Sequence, residues 1–386
     1  MKKRIALLLI AVLLTATGAA PVVQLRVVAI GDVHGGFEDF ITILQTAEII
    51  DAQNNWAGGK TTFIQTGDIL DRGIKGRAVM DLLILLERQA PRKGGRAMAL
   101  LGNHEMMNMM GDLRYVPAEE YANYAGSGSE KRREAGYQAY VEFRKRRAKA
   151  LTQPEPVITT EQKNQWEETH PLGFLEHRDA FGPEGTYGRW LRKHDAIAEV
   201  DGIIFLHGGI SPAISNLSVK QINQRIKDET RLFDSYKSKL TDQGVILPFF
   251  TLEEMTAAAK EELEFRQKVG HKDVKLLQDF LAIGSWLSIN KDGPLWFRGY
   301  AEWSGEEGAP QTENLLKTYG VKHFVVGHTV QQDGSIRSRF NNEVFLIDTG
   351  MLRSYVPNGQ ASALEIQDGK FTAIYKNRRV ALFSSS

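Results

Sequence analysis

The sequence contains no cysteine among its 386 residues. This excludes disulfides, thiolate metal sites and cysteine nucleophiles, so any metal ion must be bound through nitrogen and oxygen. The chain also has almost no net charge, because 48 Lys and Arg offset 47 Asp and Glu to leave +1. Such a chain has no overall electrostatic attraction to nucleic acid or to an anionic membrane, and we expect neither as a stable partner.

Long apolar runs are also lacking, apart from one at the N-terminus. Residues 2–4 are basic, residues 5–14 are apolar, and small residues follow at 17–20. This order is typical of a secretory signal peptide, and the run is shorter than the roughly 20 residues that span a bilayer. We therefore predict a signal peptide at residues 1–20 and an exported, periplasmic protein at 21–386. An uncleaved membrane anchor is the alternative.

Short apolar runs that end in polar residues recur along the chain. Continuous apolar runs of this kind favour strands of a parallel sheet that is covered on both faces. Ligands of such sheets bind beyond the carboxyl ends of the strands. The runs cover residues 25–30, 62–66, 97–101, 203–206 and 323–326, and they lead into Asp32 and His34, Asp68, Asn103, His207 and His328. We expect these polar side chains to meet at one edge.

The remaining chain shows helical patterns. Residues 37–50 and 77–89 have apolar side chains at helical spacing and are predicted to be crossover helices. Residues 117–192 predict a largely helical cap insertion, and residues 215–281 predict a second helical insertion. The predicted fold is therefore layered α/β, with central sheets flanked by helices.

Two shorter signals complete this prediction. Asp368-Gly369, within residues 364–375, lies between alternating residues and indicates a β-hairpin. The basic run 131–149 in the cap is interpreted as a solvated helix face. The alternative is that it attracts an acidic substrate.

The polar strand ends form two groups of possible metal ligands. Asp32 and His34 can point at one cation, and Asn103, His207 and His328 form a second group. Asp68 can bridge the two. Carboxylate, imidazole and amide ligands suit Mn, Fe, Zn or Mg. A pair of cations about 3.5–4 Å apart can hold a phosphoryl oxygen and acidify a water, which then attacks phosphorus in line.

The same residues stand within motifs that resemble those of calcineurin-like metallophosphoesterases, in the phosphoprotein phosphatase branch. The motifs are Gly31-Asp32-Val33-His34-Gly35, Gly67-Asp68-Ile69-Leu70-Asp71-Arg72-Gly73, Gly102-Asn103-His104-Glu105, His207-Gly208-Gly209 and Gly327-His328-Thr329. The segments 106–116, 188–192 and 294–298 are similar to the Shewanella-like protein phosphatases. Val330 stands where broader relatives have a second histidine, which agrees with the phosphoprotein phosphatase branch.

The resemblance implies a function and a role for each motif residue. Asp32, His34 and Asp68 would bind one metal ion, and Asp68, Asn103, His207 and His328 would bind the other. His104 would be the general acid, kept protonated by Asp71, while Arg72 and Arg298 would bind phosphate oxygens. The expected enzyme is a dinuclear phosphomonoesterase that acts on phosphotyrosine or phosphoserine/threonine in proteins, through a metal-bridging hydroxide.

Two other functions remain open at this point. Related enzymes with these motifs hydrolyse small molecules, so an exported nucleotide or diadenosine-polyphosphate hydrolase is the first alternative. A phospho-ligand binding module without catalysis is the second. The presence of every expected metal ligand and of His104 argues against it.

Overall fold

The computed structural model describes residues 26–384. The predicted signal peptide at residues 1–20 lies outside this range. Within the described residues, none of the helices combines the length and the apolar character needed to cross a bilayer.

In the part of the chain that the structure describes, eleven strands form a six-stranded and a five-stranded sheet. The strands are β1 Val27–Ile30, β2 Thr62–Gln65, β3 Arg96–Ala99, β4 Ile197–Val200, β5 Ile203–Leu206, β6 His323–Val326, β7 Arg337–Arg339, β8 Val344–Leu346, β9 Ser362–Gln367, β10 Lys370–Tyr375 and β11 Arg378–Ser384. The strand order is β11-β10-β9-β1-β2-β3 in the first sheet and β4-β5-β6-β8-β7 in the second. Strands β1, β2 and β3 are parallel to one another, as are β5, β6 and β8.

Each central strand packs its two faces against different partners. Val28 and Ile30 belong to the large core that also contains the helices. Val27 and Ala29 belong to a second core, shared with residues of the other sheet such as Phe345. The sheets therefore pack on each other and the helices cover their outer faces. This agrees with the predicted layered α/β fold, in which central sheets are flanked by helices, although the apolar runs did not indicate that the two sheets cover each other.

Within residues 26–384, twelve α-helices surround the sheets. They are α1 Phe37–Thr46, α2 Gly76–Gln89, α3 Asn103–Met110, α4 Ser129–Ala150, α5 Thr160–Thr169, α6 Phe174–Ala180, α7 Thr186–Leu191, α8 Val219–Asp242, α9 Leu252–Lys268, α10 Lys275–Leu281, α11 Gly299–Glu302 and α12 Gly305–Tyr319. Helix α1 ends before its predicted limit at residue 50, because Glu48 adopts φ 55° and Ile50 pairs with Trp56 in a β-bridge.

Helices of the two predicted insertions contact each other through α4 and α9. Arg147 of α4 donates to Glu262 of α9 over 2.5 Å, and only 11% of its side chain is exposed. Glu262 also accepts from Arg266 over 2.5 Å. The basic run is thus not solvated throughout, since Arg147 is used to hold α4 against α9.

The predicted hairpin is present as β9 and β10. Asp368 and Gly369 connect them with φ values of 51° and 72°, as a type I′ turn requires. Strand β9 then pairs antiparallel with β1, so the C-terminal strands belong to the same sheet as the first strand.

Candidate metal centre

The structure brings all six predicted metal ligands together where the parallel strands of both sheets end. The first sheet supplies residues that follow β1, β2 and β3, and the second supplies residues that follow β5 and β6. All six are buried, the most exposed being His34 at 7%. They are Asp32, His34, Asp68, Asn103, His207 and His328.

Unusual backbone conformations turn several of these side chains inward. His34, Asp68 and His328 adopt φ values of 48°, 56° and 66°, in the left-handed region that non-glycine residues rarely occupy. Gly67 precedes Asp68 with φ 96°, and a Cβ there would lie 2.5 Å from the backbone nitrogen of Gly102. Strain of this kind persists only where the surroundings enforce it, and it is common at functional sites.

His207 and His328, which follow strands of the second sheet, point unprotonated ring nitrogens at each other. His207 Nδ1 lies 3.1 Å from the Thr66 carbonyl, and His328 Nε2 lies 3.1 Å from the Trp296 carbonyl. A carbonyl only accepts, so these nitrogens carry the hydrogens and donate. His207 Nε2 and His328 Nδ1 are then left as acceptors, and they are 3.0 Å apart.

Two side-chain oxygens lie close to His207 Nε2. Asp68 Oδ2 is 3.2 Å and Asn103 Oδ1 is 2.9 Å from His207 Nε2. Burial lowers the pKa of His328 well below its usual value, and the neighbouring His207 lowers it further. Protonation of His328 is therefore disfavoured, and four acceptors converge where a cation would satisfy them. The donor set fits a divalent transition metal.

A second group of donors lies on the other side of Asp68. His34 donates from Nδ1 to the Leu70 carbonyl over 2.8 Å, which leaves Nε2 as an acceptor. That atom is 3.7 Å from Asp68 Oδ2 and 4.0 Å from Asp32 Oδ2. Burial lowers the pKa of His34 to about 3, so the ring is neutral and able to coordinate a metal.

Asp68 is common to both groups and remains ionised. Burial raises its pKa, but the imidazole groups around it, among them the protonated His104, outweigh burial and hold the pKa well below its usual range. The carboxylate is therefore suited to bridge two cations.

His104 is also close to Asp68 but differs from the predicted ligands. Its Nε2 is 3.7 Å from Asp68 Oδ2, while its Nδ1 donates to Asp71 Oδ2 over 2.6 Å. Burial disfavours the imidazolium, yet the Asp68 charge and the Asp71 hydrogen bond outweigh it and raise the pKa of His104 to about 9. A protonated ring does not coordinate a metal, so this environment suits an acid.

Arg72 lies between two tyrosine rings at the entrance to the site. Its guanidinium carbon is 4.6 Å from the ring centre of Tyr115 and 4.0 Å from that of Tyr355. The Arg72 backbone N–H donates to the Tyr115 carbonyl over 2.9 Å. Its Nε has no hydrogen-bond partner among the described residues and is available to an anion.

Arg298, the other predicted phosphate-binding residue, lies beside His328. Its Nη1 donates to the His328 carbonyl over 2.7 Å and to Thr329 Oγ1 over 3.1 Å. The guanidinium is therefore adjacent to the second group of donors.

The sequence analysis missed two buried residues of α3. Glu105 Oε2 accepts from the backbone N–H groups of Asp68 and Gly102, each over 2.8 Å, and Oε1 accepts from Ile69 over 2.9 Å. Asn108 donates from Nδ2 to Asp71 Oδ1 over 2.8 Å. One fixes the loop that carries Asp68, and the other orients the carboxylate that binds His104.

A third missed residue, Asp348, follows β8. Burial raises the pKa of Asp348 to about 6. Burial and the charges of Asp348 and Asp68 likewise raise the pKa of Asp32 well above its usual value. A signal for Asp348 was present, because the apolar run 344–347 ends in Asp348 as the other runs end in metal ligands.

The fold and this cluster of donors are those of a metallophosphoesterase. The family profile described as calcineurin-like phosphoesterase matches residues 25–332, well over half of the chain, and the protein belongs to that family. The predictions of the family, of an α/β fold and of an enzyme are thereby confirmed. Members of the family use divalent metal ions.

Two relatives of this chain belong to a narrower group, the Shewanella-like protein phosphatases. Shewanella-like protein phosphatase 1 of Plasmodium berghei is 26% identical over 90% of this chain and 74% of its own length. Shewanella-like protein phosphatase 2 of Arabidopsis thaliana is 26% identical over 89% of this chain and 75% of its own. The crystal structure of a cold-active protein-tyrosine phosphatase from a Shewanella species shares the fold, with a TM-score of 0.58 and 24% identity over 93% and 80% of the two chains.

Proposed function

We propose that this protein is a dinuclear metal-dependent phosphomonoesterase that removes phosphate from phosphotyrosine or phosphoserine/threonine in proteins. The observation that carries this proposal is the convergence of buried acceptors around Asp68, next to a protonated His104. Two relatives that match most of this chain are named protein phosphatases, and their names support the proposed substrate class.

Two divalent ions fit the two donor groups. His34 Nε2 lies 4.0 Å from Asp32 Oδ2 and 3.7 Å from Asp68 Oδ2, and ligand atoms of Asp68, His207 and His328 lie within 4.8 Å of one another. Asp32, His34 and Asp68 would hold one ion, and Asp68, Asn103, His207 and His328 the other. When bound, such ions supply a Lewis acid for the phosphoryl oxygens and acidify the attacking water. Mn, Fe, Zn and Mg all accept these ligands.

The chain's own residues then have separable tasks. Arg72 binds phosphate oxygens with a guanidinium that the two tyrosine rings hold in place, and Arg298 offers a second cation. Water attacks phosphorus directly, so one P–O bond forms while the bond to the leaving oxygen breaks. His104 gives its Nε2 proton to that leaving oxygen, and the Asp71 hydrogen bond at Nδ1 stabilises the proton-bearing form beforehand.

The first test measures phosphate release by the metal-stripped protein from phosphotyrosyl and phosphoseryl peptides, with and without Mn²⁺. We expect release that depends on added metal. If a folded, metal-loaded protein released phosphate from nucleotides or diadenosine polyphosphates and from neither peptide, the protein substrate class would be wrong.

The test of export is separate, because the predicted signal peptide at residues 1–20 lies outside the described structure. We expect the full chain, expressed in a bacterium with two membranes, to accumulate in the periplasm without those residues. Retention of the intact N-terminus in the membrane fraction would favour the uncleaved anchor instead.

A further inference from the structure

A largely apolar cavity lies next to the entrance of the metal centre. It has a volume of about 930 Å³ and is bordered by the segment 111–118 and by helices α6 and α9. Its apolar lining includes Leu113, Val116, Tyr121, Phe174 and Leu252. Tyr121 and Phe174 belong to a small buried cluster that is separate from the main core and forms the base of this cavity.

This cavity adjoins the entrance at Arg72. A smaller cavity of about 430 Å³ is lined by Arg72, Tyr115 and Tyr355. Arg114 and Val116 line both cavities. A chain that places a phosphate at Arg72 can therefore extend past Tyr115 into the larger cavity without leaving the surface of the protein.

The charges around the larger cavity do not favour a polyanion. Asp112, Glu168 and Glu253 line it together with Arg114 and Lys260. Arg114 is already paired with Asp112, with their side chains 2.6 Å apart. No excess of positive charge is left for the second half of a dinucleotide polyphosphate, whereas an uncharged apolar group finds a matching surface.

We propose that this cavity, here called the α6/α9 groove, binds an apolar side chain of the substrate polypeptide next to the phosphorylated residue. The inference rests on the proposed function and adds a sequence preference to it. Leu, Ile, Met or Phe near the phosphorylated residue would bury apolar surface in the groove, and this gain is independent of the chemistry at the metal centre.

The experiment compares peptides with small substrates in one variant pair. Ala257 is exposed on α9 and lines the groove, so Ala257→Trp fills it without touching the metal centre. Asn216 lines a different cavity, of about 1100 Å³, that contains none of the proposed metal ligands, and Asn216→Trp is the matched control. Ala257→Glu tests the same position by charge rather than by size.

The substrates are Gly/Ser-rich phosphopeptides in which one Leu is moved through the four positions on either side of the phosphorylated residue. We expect the wild type to favour one or two Leu positions by about tenfold or more in kcat/KM. The preference should be lost in Ala257→Trp and in Ala257→Glu and kept in Asn216→Trp. Hydrolysis of p-nitrophenyl phosphate should be unchanged in all three, which also shows that the variants are folded.

Other outcomes separate the two proposals. Equal kcat/KM at all Leu positions, or a preference that survives both Ala257 variants, overturns the groove and leaves the phosphatase intact. Release from no peptide, with p-nitrophenyl phosphate still hydrolysed, overturns both the protein substrate and the groove. Diadenosine-polyphosphate hydrolysis that Ala257→Trp abolishes would assign the cavity to the dinucleotide.

Discussion

At the scale of single residues, Arg72 depends on its two tyrosines. The ring centres of Tyr115 and Tyr355 lie 4.6 and 4.0 Å from its guanidinium carbon, while its backbone has the left-handed φ of 65°. Tyr115 also contacts the His104 ring and Tyr355 the His34 ring, with centres 5.2 and 5.8 Å apart. The pair therefore fixes Arg72, the proposed phosphate-binding arginine, relative to the rest of the site.

Removal of one ring should weaken phosphate binding more than turnover. For Tyr355→Leu we expect the inhibition constant of inorganic phosphate to rise about two- to fivefold, since a cation–π contact contributes about 0.5–1 kcal/mol at an exposed site. Tyr355→Phe keeps the ring and is the control. If the leucine and phenylalanine variants bind phosphate equally, the ring does not position Arg72.

Loss of the proposed acid should depend on the leaving group. His104→Ala should lower kcat by about 10²-fold or more on an alkyl phosphate, and by much less on p-nitrophenyl phosphate, whose leaving group departs without a proton. The measurement is kcat on both substrates at one pH and one metal concentration. Equal losses on the two would contradict the acid role.

The predicted residues and the missed ones differ in how they mark the sequence. Asp32, Asp68 and His328 each follow a buried strand, so local pattern and motif were enough to find them. Tyr115 and Tyr355 come from irregular loops that are far apart in the sequence, and only the folded chain shows that both cover Arg72. Periodicity carries no information about such a contact.

At the scale of elements, α3 links the proposed acid to the metal-binding loop. The helix begins with Asn103 and His104 and uses Glu105 to hold the backbone N–H groups of Asp68 and Gly102. Arg178 of α6 donates to the carbonyl of Asn108, close to the other end of α3. The helix is thus held at both ends.

Glu105→Gln tests this arrangement. The amide nitrogen cannot accept, so two of the buried N–H groups lose their partner, at about 1–3 kcal/mol each. We expect the free energy of unfolding to fall by about 3 kcal/mol and metal affinity to fall about tenfold or more, because an orienting residue is lost. Denaturant unfolding and metal titration measure both, with the exposed Glu253→Gln as control. Unchanged values in Glu105→Gln would remove Glu105 from this role.

A buried carboxyl at the start of α2 makes stability depend on pH. Glu120 accepts from the backbone N–H of Arg77 over 3.2 Å and from Asn123 over 2.8 Å, yet burial outweighs these bonds and raises its pKa to about 7. The folded chain then binds this proton more tightly than the unfolded chain, whose carboxyl has the usual pKa of 4.5. Its contribution to stability is therefore full below pH 4.5 and is lost as the pH rises through 7.

Glu120→Gln keeps a neutral group at this position at every pH. Relative to the wild type, we expect the variant to gain stability between pH 5 and pH 8, measured as the shift of the urea midpoint. If the difference between the urea midpoints of the variant and the wild type were the same at pH 5 and at pH 8, Glu120 would not titrate in this range.

At the scale of the whole molecule, the metal centre joins the two sheets. Asp32, His34, Asp68 and Asn103 come from the first sheet, and His207 and His328 from the second. The sequence predicted that these residues converge, but it did not predict that they come from separate sheets. The order of strands in a sheet depends on long-range pairing, such as that of β1 with β9, which no local pattern records.

Metal removal should therefore loosen the whole fold. Ligand binding to the native state alone stabilises it by about 2.7 kcal/mol at a concentration of 100 times Kd. Chelation should lower Tm by several degrees, and Mn²⁺ should restore it. Asp68→Asn, which weakens the bridge, should show a smaller shift. A Tm indifferent to chelator and Mn²⁺ would argue against a resident metal.

Because the proposed metal centre lies between the two sheets, metal binding would report whether both sheets have packed together. An early-folded first sheet would offer Asp32, His34, Asp68 and Asn103 but neither His207 nor His328. An isolated second sheet would lack both proposed carboxylate ligands, Asp32 and Asp68. The complete set of proposed ligands is present only after β5 and β6, which precede His207 and His328, have packed against the first sheet. The strands of that sheet come from both ends of the sequence. The proposed metal sites would therefore be incomplete, and the chain inactive, until both sheets have assembled.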